Sequence, residues 1–91
     1  MDLIYLLDIS QITKCKKEQI NGPTNLFELL ELLSEQYGPE FSDRVFNKSK
    51  NDLNAEIDIL VNGINVAPAD GIDTILKSED SIAIIPEIMG G

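Results

Sequence analysis

The stretch EIDILVNGINVA, residues 56–67, combines strand alternation with the strongest turn signal in the chain. Its β-branched residues occupy alternate positions and so share one side of an extended chain: Ile57, Ile59 and Val61. The dipeptide Asn62-Gly63 is preferred in two-residue hairpin turns, because both turn positions need a positive φ. We therefore predict a strand, a tight turn, and a returning strand in INVA.

Two other segments are almost wholly apolar, LIYLLDI at residues 3–9 and SIAII at residues 81–85. Short runs of this kind suit strands in the interior of a sheet, so we predict that the first and last strands are the central ones. Pro86 should end the last strand because it has no N–H for the ladder. After a polar turn at residues 11–13, KKEQI at residues 16–20 is a weaker strand.

One amphipathic helix is clear between these strands. Its apolar side chains recur at helical spacing: Leu26, Leu29, Leu30, Leu33 and Tyr37. Thr24 or Asn25 can cap its first turn. With Asn25 as the cap, the Glu28 carboxylate stands three residues on, where it helps the free amides. Gly38 and Pro39 should stop the helix.

Residues 40–55 give no strong pattern beyond a short helical turn and a polar loop. The order of elements predicts an α+β fold, a mixed sheet of four to five strands with one main helix across one face. This order resembles the ubiquitin-like β-grasp arrangement, in which the end of the chain leaves the sheet from a central strand. We expect one domain over residues 1–85 and a flexible Gly-Gly tail over residues 86–91.

The composition narrows the chemistry that the chain can perform. Its 91 residues include no histidine and one cysteine. Without histidine, the usual general base near pH 7 and every Ser-His or Cys-His nucleophile pair are missing, so we expect no catalysis by this chain alone. One thiol without imidazoles makes no zinc site of the common kinds, and we expect no bound metal or cofactor.

The formal charge of -9 opposes binding to nucleic acid or to an anionic membrane surface, so the expected partner is a protein with a basic surface. No apolar run approaches the ~20 residues needed to cross a bilayer. The first residues, MDLIYLLDIS, lack a positively charged beginning and a small-residue cleavage site, which does not fit a signal peptide. We therefore expect a cytoplasmic protein.

Several motifs together resemble the β-grasp sulfur carriers of the MoaD/ThiS family, above all the small subunit of molybdopterin synthase. The family pattern is a strand, Asn-Gly, a short strand, a turn ending in leucine, an aspartate before the last strand, two prolines and a closing Gly-Gly. The resemblance spans nearly the whole chain, and these positions fill the pattern: Asn62, Gly63, Leu76, Asp80, Pro86, Gly90 and Gly91. Glu87 replaces the second proline and Met89 a small residue, a difference that concerns the choice of partner and not the two glycines.

The resemblance implies that Gly91 is adenylated and then converted to a thiocarboxylate, with Gly90 letting extended backbone enter a narrow channel. The implied partners are an E1-like adenylating enzyme (MoeB/ThiF type), which uses ATP, and the large subunit of molybdopterin synthase. The chain would be the sulfur-donating subunit of that synthase. The alternatives are a ubiquitin-like modifier joined through Gly91 to lysines, as in small archaeal modifiers, and a sulfur carrier for thiamine or tRNA thiolation.

Other chemistry-bearing residues have plainer interpretations. Cys15 lies between two lysines in a weak strand, and we interpret it as a bystander and not as a nucleophile. The acidic side of the helix is interpreted as a solvated face: Glu28, Glu31 and Glu35. Two acid pairs lack the ligand pattern of an EF-hand loop and are assigned to turns: Asp70 with Asp73, and Glu79 with Asp80.

The sequence also predicts where partners dock. The helix can cover only one face of the sheet, so its leucines should meet one set of strand residues: Ile4, Leu6, Ile57, Ile59, Val61, Ile82 and Ile84. The opposite face should then carry one apolar patch: Tyr5, Leu7, Leu60 and Ile85. The predicted partner-binding set consists of these four residues with Pro86, Ile88 and Met89.

Overall fold

The computed structural model describes residues 1–87, in which there are five strands and three α-helices. In chain order the elements are β1 (Asp2–Tyr5), α1 (Asp8–Thr13), β2 (Lys17–Gln19), α2 (Leu26–Tyr37), α3 (Pro39–Val45), β3 (Ile57–Val61), β4 (Ile64–Asn65), a short 3-10 helix (Gly71–Asp73) and β5 (Ser81–Pro86). The predicted α+β class is confirmed. The predicted contact residues Ile88 and Met89 and the predicted reactive residues Gly90 and Gly91 lie outside the described residues.

The five strands form one mixed sheet in the order β2-β1-β5-β3-β4. β1 and β5 lie side by side and run parallel, and β5 pairs antiparallel with β3 on its other side. The first and last strands are therefore interior strands, as predicted. The two outer strands have only 3 and 2 residues, and such short edges offer few free hydrogen-bonding groups to another chain.

The predicted hairpin between β3 and β4 is confirmed. Asn62 and Gly63 have φ angles of 53° and 84°, the positive values that a two-residue turn between twisted strands requires. The turn brings Val61 opposite Ile64. Because asparagine and glycine tolerate this backbone better than other residues, the local sequence fixes where the chain reverses.

α2 begins and ends where the sequence predicts. The Asn25 side chain accepts a hydrogen bond from the Glu28 N–H at 2.8 Å, and the Glu28 carboxylate accepts from the Thr24 N–H and hydroxyl at 2.8 and 2.7 Å. The two bonds from Thr24, that of its hydroxyl first, hold the pKa of Glu28 below its usual range. At the other end, Gly38 takes a φ of 86° and its N–H bonds to the Ser34 carbonyl.

Two short helices go beyond the sequence prediction. The predicted first strand extends to Ile9, but β1 stops at Tyr5 and α1 begins at Asp8. Ile9 and Thr13 are the buried positions of α1, four residues apart on one side of the helix. Pro39 stands at the start of α3, where a proline is suitable because the N–H of the first turn has no partner within the helix. The residue that stops α2 therefore also opens the next helix.

The predicted register of β1 is wrong by one residue. Leu3 and Tyr5 have no solvent exposure and belong to the core, whereas Ile4 is half-buried and Leu6 is 41% exposed. The prediction puts Ile4 and Leu6 on the core side and Tyr5 on the open face. Its weakness is the continuous apolar run, which has no polar residues at alternate positions to mark the solvent side. Tyr5 is therefore a core residue and not part of an exposed patch.

One continuous core lies between the sheet and the helices. The predicted core residues of the other strands are buried in it or, for Val61, half-buried against it: Ile57, Ile59, Val61, Ile82 and Ile84. The predicted helix leucines are fully buried in the same core: Leu26, Leu29, Leu30 and Leu33. α2 has 12 residues, and in the described part of the chain no helix has the length and apolar character needed to cross a membrane.

β5 extends one residue beyond the predicted domain boundary at residue 85. Pro86 pairs with Ile57 of β3, and the Glu87 N–H bonds to the Glu56 carbonyl at 2.9 Å. At this point β1 has already ended, so β5 has a neighbouring strand on one side only, a setting in which proline is tolerated. Pro86 is buried. It therefore offers a partner little surface, and its predicted contact with a partner stays a prediction.

Asp80 holds the start of β5 in place. Its carboxylate accepts hydrogen bonds from the Asn62 side-chain amide at 2.9 Å and from the Lys77 N–H at 2.8 Å, and its carbonyl accepts from the Asp2 N–H at 3.0 Å. The Asn62 side chain in turn accepts from the Ser81 N–H at 3.0 Å. The bond from Asn62, followed by that from Lys77, holds the pKa of Asp80 below its usual range. The start of β5 is thereby joined to β1 and to the β3–β4 turn.

Replacing Asp80 with asparagine should destabilise the fold. One accepting oxygen becomes a donor that faces another donor, so we expect the free energy of unfolding at neutral pH to fall by about 1–3 kcal/mol. Because folding lowers the pKa of Asp80, its contribution is present above the unfolded value of about 3.9 and is lost as the pH falls through the folded value. Urea unfolding at neutral pH and in acid measures both effects.

Asp70→Asn is the matched control, since Asp70 is exposed and the substitution changes the net charge equally. The control should unfold at the wild-type urea concentration. The gap between wild type and the Asp80 variant should narrow in acid, because Asp80 becomes protonated there. Equal stability of the Asp80 and Asp70 variants at neutral pH would contradict this role of Asp80.

Candidate functional site

The face of the sheet away from the helices carries a small apolar patch. The strand register places Ile4 of β1, Ala83 of β5 and Leu60 of β3 in one row, and all three are half-buried. Ile85 lies two residues further along β5 on the same side, and Leu6 continues the alternation past the end of β1. These five residues, Ile4, Leu6, Leu60, Ala83 and Ile85, are called the open-face patch.

Polar residues border the open-face patch. Lys17 of β2 and Asn65 of β4 occupy the two ends of the row that crosses the sheet. In the next row, Asp58 pairs with Ile85. An apolar centre with a polar rim is the arrangement of a protein-binding surface.

Two of the four residues predicted for this face lie on it. Leu60 and Ile85 are placed there as predicted. Tyr5 is buried on the helix side, and the neighbouring residues Ile4 and Leu6 take its place on the open face. If the outward positions of the first strand are counted from residue 4 and not from residue 5, the alternation places Ile4 and Leu6 on the open face. Contact of this face with a partner stays a prediction.

Leu7, the fourth of those residues, occupies a turn position that normally requires glycine. Its φ of 54° and ψ of -131° lie in a region that residues other than glycine rarely adopt. The Ile9 N–H donates to the Leu6 carbonyl across the turn at 3.2 Å. A residue held in such a region costs about 1–3 kcal/mol. The Leu7 side chain is 52% exposed, so packing within the described residues offsets little of that cost.

A second group of polar side chains lies on the helix side of the sheet. The Glu18 carboxylate accepts a hydrogen bond from the Tyr37 hydroxyl at the end of α2 and another, at 3.2 Å, from the Cys15 thiol. The Cys15 sulfur lies 3.9 Å from the Tyr37 hydroxyl oxygen. The ring of Tyr5 packs edge-to-face on that of Tyr37, with 6.4 Å between ring centres. These four residues, Tyr5, Cys15, Glu18 and Tyr37, are called the Glu18 cluster.

The two phenols of the Glu18 cluster are held in the protonated form. Burial raises the pKa of Tyr5 above its usual value, and the nearby charge of Glu18 raises it further. The pKa of Tyr37 is also raised. Burial is the largest cause, and the hydrogen bond to Glu18 is the second. Tyr5 is fully buried, and its hydroxyl makes no hydrogen bond of good geometry within residues 1–87. The Glu18 carboxylate is the acceptor beside it, because a hydrogen bond to Glu18 is among the causes that raise the pKa of Tyr5.

Sequence reasoning misses the Glu18 cluster. It treats Cys15 as a bystander, and no local pattern connects Cys15 with Tyr37, which are 22 residues apart. The only sequence feature that indicates this cluster is the three-residue spacing of Cys15 and Glu18, and a single pair of this kind is weak evidence for a contact. Over residues 1–87, no three His, Cys, Asp or Glu side chains are grouped so that they could hold a metal ion. Glu31 and Glu35 are exposed on α2, as predicted for a solvated face.

Comparison with known proteins places the chain in a family. The model of the ThiS family matches residues 4–91. A protein of Archaeoglobus fulgidus with the name "Putative sulfur carrier protein" is 36% identical to this chain over 64 residues, which make up 70% of either protein.

Two solved structures share the fold along nearly the whole chain. The small archaeal modifier protein 1 (SAMP1) of Methanosarcina acetivorans has a TM-score of 0.84 and 25% identity, with coverage of 99% of this chain and 94% of that one. A chain from the Amycolatopsis orientalis BexX/CysO complex has a TM-score of 0.84 and 19% identity, with coverage of 99% and 98%. The family match and the fold agree over the same residues, and the chain therefore belongs to the ThiS family of ubiquitin-like β-grasp sulfur carriers.

Proposed function

We propose that this protein carries sulfur as a thiocarboxylate on Gly91 and donates it in molybdopterin synthesis, as the small subunit of molybdopterin synthase. An E1-like adenylating enzyme first joins the Gly91 carboxylate to the AMP part of ATP and releases pyrophosphate. A sulfur donor then displaces AMP and leaves the thiocarboxylate. The chain supplies the reactive end, while the catalytic groups and ATP belong to its partners.

The observation that carries the proposal is the course of β5 in a member of the ThiS family. β5 is the middle strand of the sheet, and its pairing continues to Pro86, with the Glu87 N–H still bonded to Glu56. Two residues then separate Glu87 from the Gly-Gly pair. A firmly paired strand therefore leads almost directly into two residues without a Cβ, which fit a channel too narrow for side chains.

A second function is favoured by the likeness to SAMP1 of Methanosarcina acetivorans, which is named a modifier. In that case Gly91 would be joined to lysine side chains of other proteins. Both functions begin with adenylation of Gly91 and differ only in what attacks the adenylate, a sulfur donor or a lysine amine.

Intact-mass measurement on protein purified from its own host distinguishes the two functions. Replacement of one terminal oxygen by sulfur supports the carrier, whereas Gly-Gly remnants on lysines of other proteins support the modifier. If the thiocarboxylate forms but gives no molybdopterin with a synthase large subunit, sulfur transfer to thiamine or tRNA becomes the better assignment.

Loss of Gly91, or a bulky residue at position 90, should abolish adenylation. Deletion of Gly91 changes the position of the carboxylate, and Gly90→Trp blocks the entry of extended backbone into a narrow channel. ATP–pyrophosphate exchange with the activating enzyme measures the effect. Ile64→Trp is the control, because it puts the same side chain on the edge strand β4, where Ile64 is 69% exposed. Full exchange by the Gly91 deletion would contradict the proposal.

We also propose that the open-face patch and Leu7 dock both partners. Because β1 and β5 run parallel, both strands finish at the same end of the sheet. Leu6 and Leu7, which follow β1, therefore lie at the end where β5 finishes with Pro86. A partner bound there would lie beside the path to Gly91. The strained backbone of Leu7 supports this, since its cost is not recovered by packing within the described residues but would be offset by contact with a partner.

Substitutions on this face should weaken binding without unfolding the protein. Leu60→Glu puts a charge at the centre of the open-face patch, and Leu7→Gly removes a side chain while relieving backbone strain. We expect each to weaken binding by about 1–3 kcal/mol if the residue is an anchor. The free energy of unfolding of Leu7→Gly should be at or above that of wild type, because relief of the backbone strain at least offsets the extra freedom that glycine gives the unfolded chain. Calorimetric titration against each partner measures the affinity.

Leu32→Glu is the matched control for the charge, since Leu32 is 39% exposed on α2, on the other side of the sheet. It should bind both partners as wild type does. Because one face serves both partners, the two complexes should exclude each other. Unchanged affinity in Leu60→Glu and Leu7→Gly, or a ternary complex of all three proteins, would place the interface elsewhere.

A further inference from the structure

The chain contains two Asn-Gly dipeptides in closely similar local sequences. Residues 20–22 read ING, in the loop between β2 and α2, and residues 61–63 read VNG, at the β3–β4 turn. Asparagine before glycine is prone to lose its side-chain amide, because glycine has no Cβ to obstruct attack by its backbone nitrogen. Both asparagines are exposed, so neither local sequence nor accessibility distinguishes the two sites.

The Asn62 side chain is held at both of its polar atoms. Its amide nitrogen donates to the Asp80 carboxylate at 2.9 Å, and its oxygen accepts from the Ser81 N–H at 3.0 Å. The Asn62 backbone N–H donates to the Ser81 carbonyl at 2.8 Å. Rotation of the side-chain carbon toward the Gly63 nitrogen would break both side-chain bonds, one of them to a charged group. The Asp80 carboxylate would also repel the negative charge that develops during attack.

The Asn21 side chain is held at one atom, its oxygen. That oxygen accepts from the Met1 nitrogen at 3.0 Å, whereas the Asn21 amide nitrogen makes no hydrogen bond within residues 1–87. The Gly22 N–H likewise has no acceptor in that part of the chain, so its nitrogen is available for attack. A donor at the side-chain oxygen stabilises the negative charge that appears there during attack. The surroundings therefore favour the reaction at Asn21 and oppose it at Asn62.

We propose that Asn21 is a site of spontaneous deamidation, a reaction from which the Asp80 contact protects Asn62. After base removes its proton, the Gly22 nitrogen attacks the Asn21 side-chain carbon. The new C–N bond closes a succinimide ring, the bond to the side-chain nitrogen breaks, and that nitrogen takes up a proton and leaves as ammonia. Water then adds to one ring carbonyl and breaks its bond to the ring nitrogen, which leaves aspartate or isoaspartate. Every step is an addition or an elimination, so no oxidant or reductant is needed.

The product fits its surroundings at position 21 but would not fit at position 62. A carboxylate in place of the Asn21 amide still accepts from the Met1 nitrogen, and the bond becomes stronger because the acceptor is charged. At position 62, a carboxylate would lose the donated bond and face Asp80, so that like charges meet at the start of β5. The loop can therefore be modified while the contacts that hold β5 are kept.

The reaction at Asn21 is independent of the proposed function. Its loop follows β2, an edge strand that β1 separates from β5, and the reaction needs no partner protein. Failure of adenylation or docking would leave the deamidation of Asn21 unaffected, and the reverse also holds.

Peptide mapping of the full chain tests the proposal. Folded protein is incubated at neutral pH, and samples taken over time are digested with trypsin, with a zero-time sample to correct for reaction during digestion. Asn21 and Asn62 lie in different tryptic peptides, residues 18–44 and 51–77, in which fragmentation by mass spectrometry locates the new carboxylate. We expect Asn21 to deamidate at least about tenfold faster than Asn62, the effect expected from one hydrogen bond to a charged group.

Incubation in guanidinium chloride is the matched control, because it removes the fold and keeps the two local sequences. The two rates should then become similar, mainly because that of Asn62 rises. Two variants of equal charge test the products: Asn21→Asp should unfold at the wild-type denaturant concentration or above it, and Asn62→Asp at a lower one. Equal rates at the two asparagines in the folded protein would overturn the proposal. So would an unreacted Asn21 after the unfolded chain has reacted, or a lower unfolding midpoint for Asn21→Asp than for Asn62→Asp.

Discussion

The position of β5 depends on one buried carboxylate. Asp80 bonds to the Asn62 side chain in the β3–β4 turn, and its carbonyl accepts from Asp2 at the start of β1. These contacts join three segments that are distant in sequence, and they set the register of the central strand against a parallel and an antiparallel neighbour. Whatever follows β5 in the chain therefore starts from a fixed point in the middle of the sheet.

This arrangement gives the two faces of the sheet different chemistry. The helices bury one face and leave the open-face patch on the other. The turn at Leu7 links the two, because it ends β1 beside the open face and starts α1 on the core side, with a backbone that would suit glycine better. The Glu18 cluster lies on the helix side, so the sheet separates Cys15 from the open-face patch.

Most residues of the family pattern in the described part of the chain have a structural role. Asn62, Gly63 and Asp80 make the turn and the bonds that hold β5, and Leu76 is a core residue. These residues serve the fold, so by themselves they do not distinguish a sulfur carrier from a protein modifier. Under the proposed function, the distinction would depend on what attacks the adenylated Gly91, a choice that would be made by the partner proteins.

The sequence by itself determines the elements that depend on local backbone chemistry: the capped helix α2, the Asn62-Gly63 turn, the alternating strand β3 and the interior place of the last strand. Tertiary structure decides the register of β1 and the existence of α1, because a continuous apolar run marks neither a solvent side nor an end. It also decides the Asp80 contacts and the Glu18 cluster, which join residues far apart in the chain. Such pairs leave no periodic trace in a single sequence, since only packing brings them together.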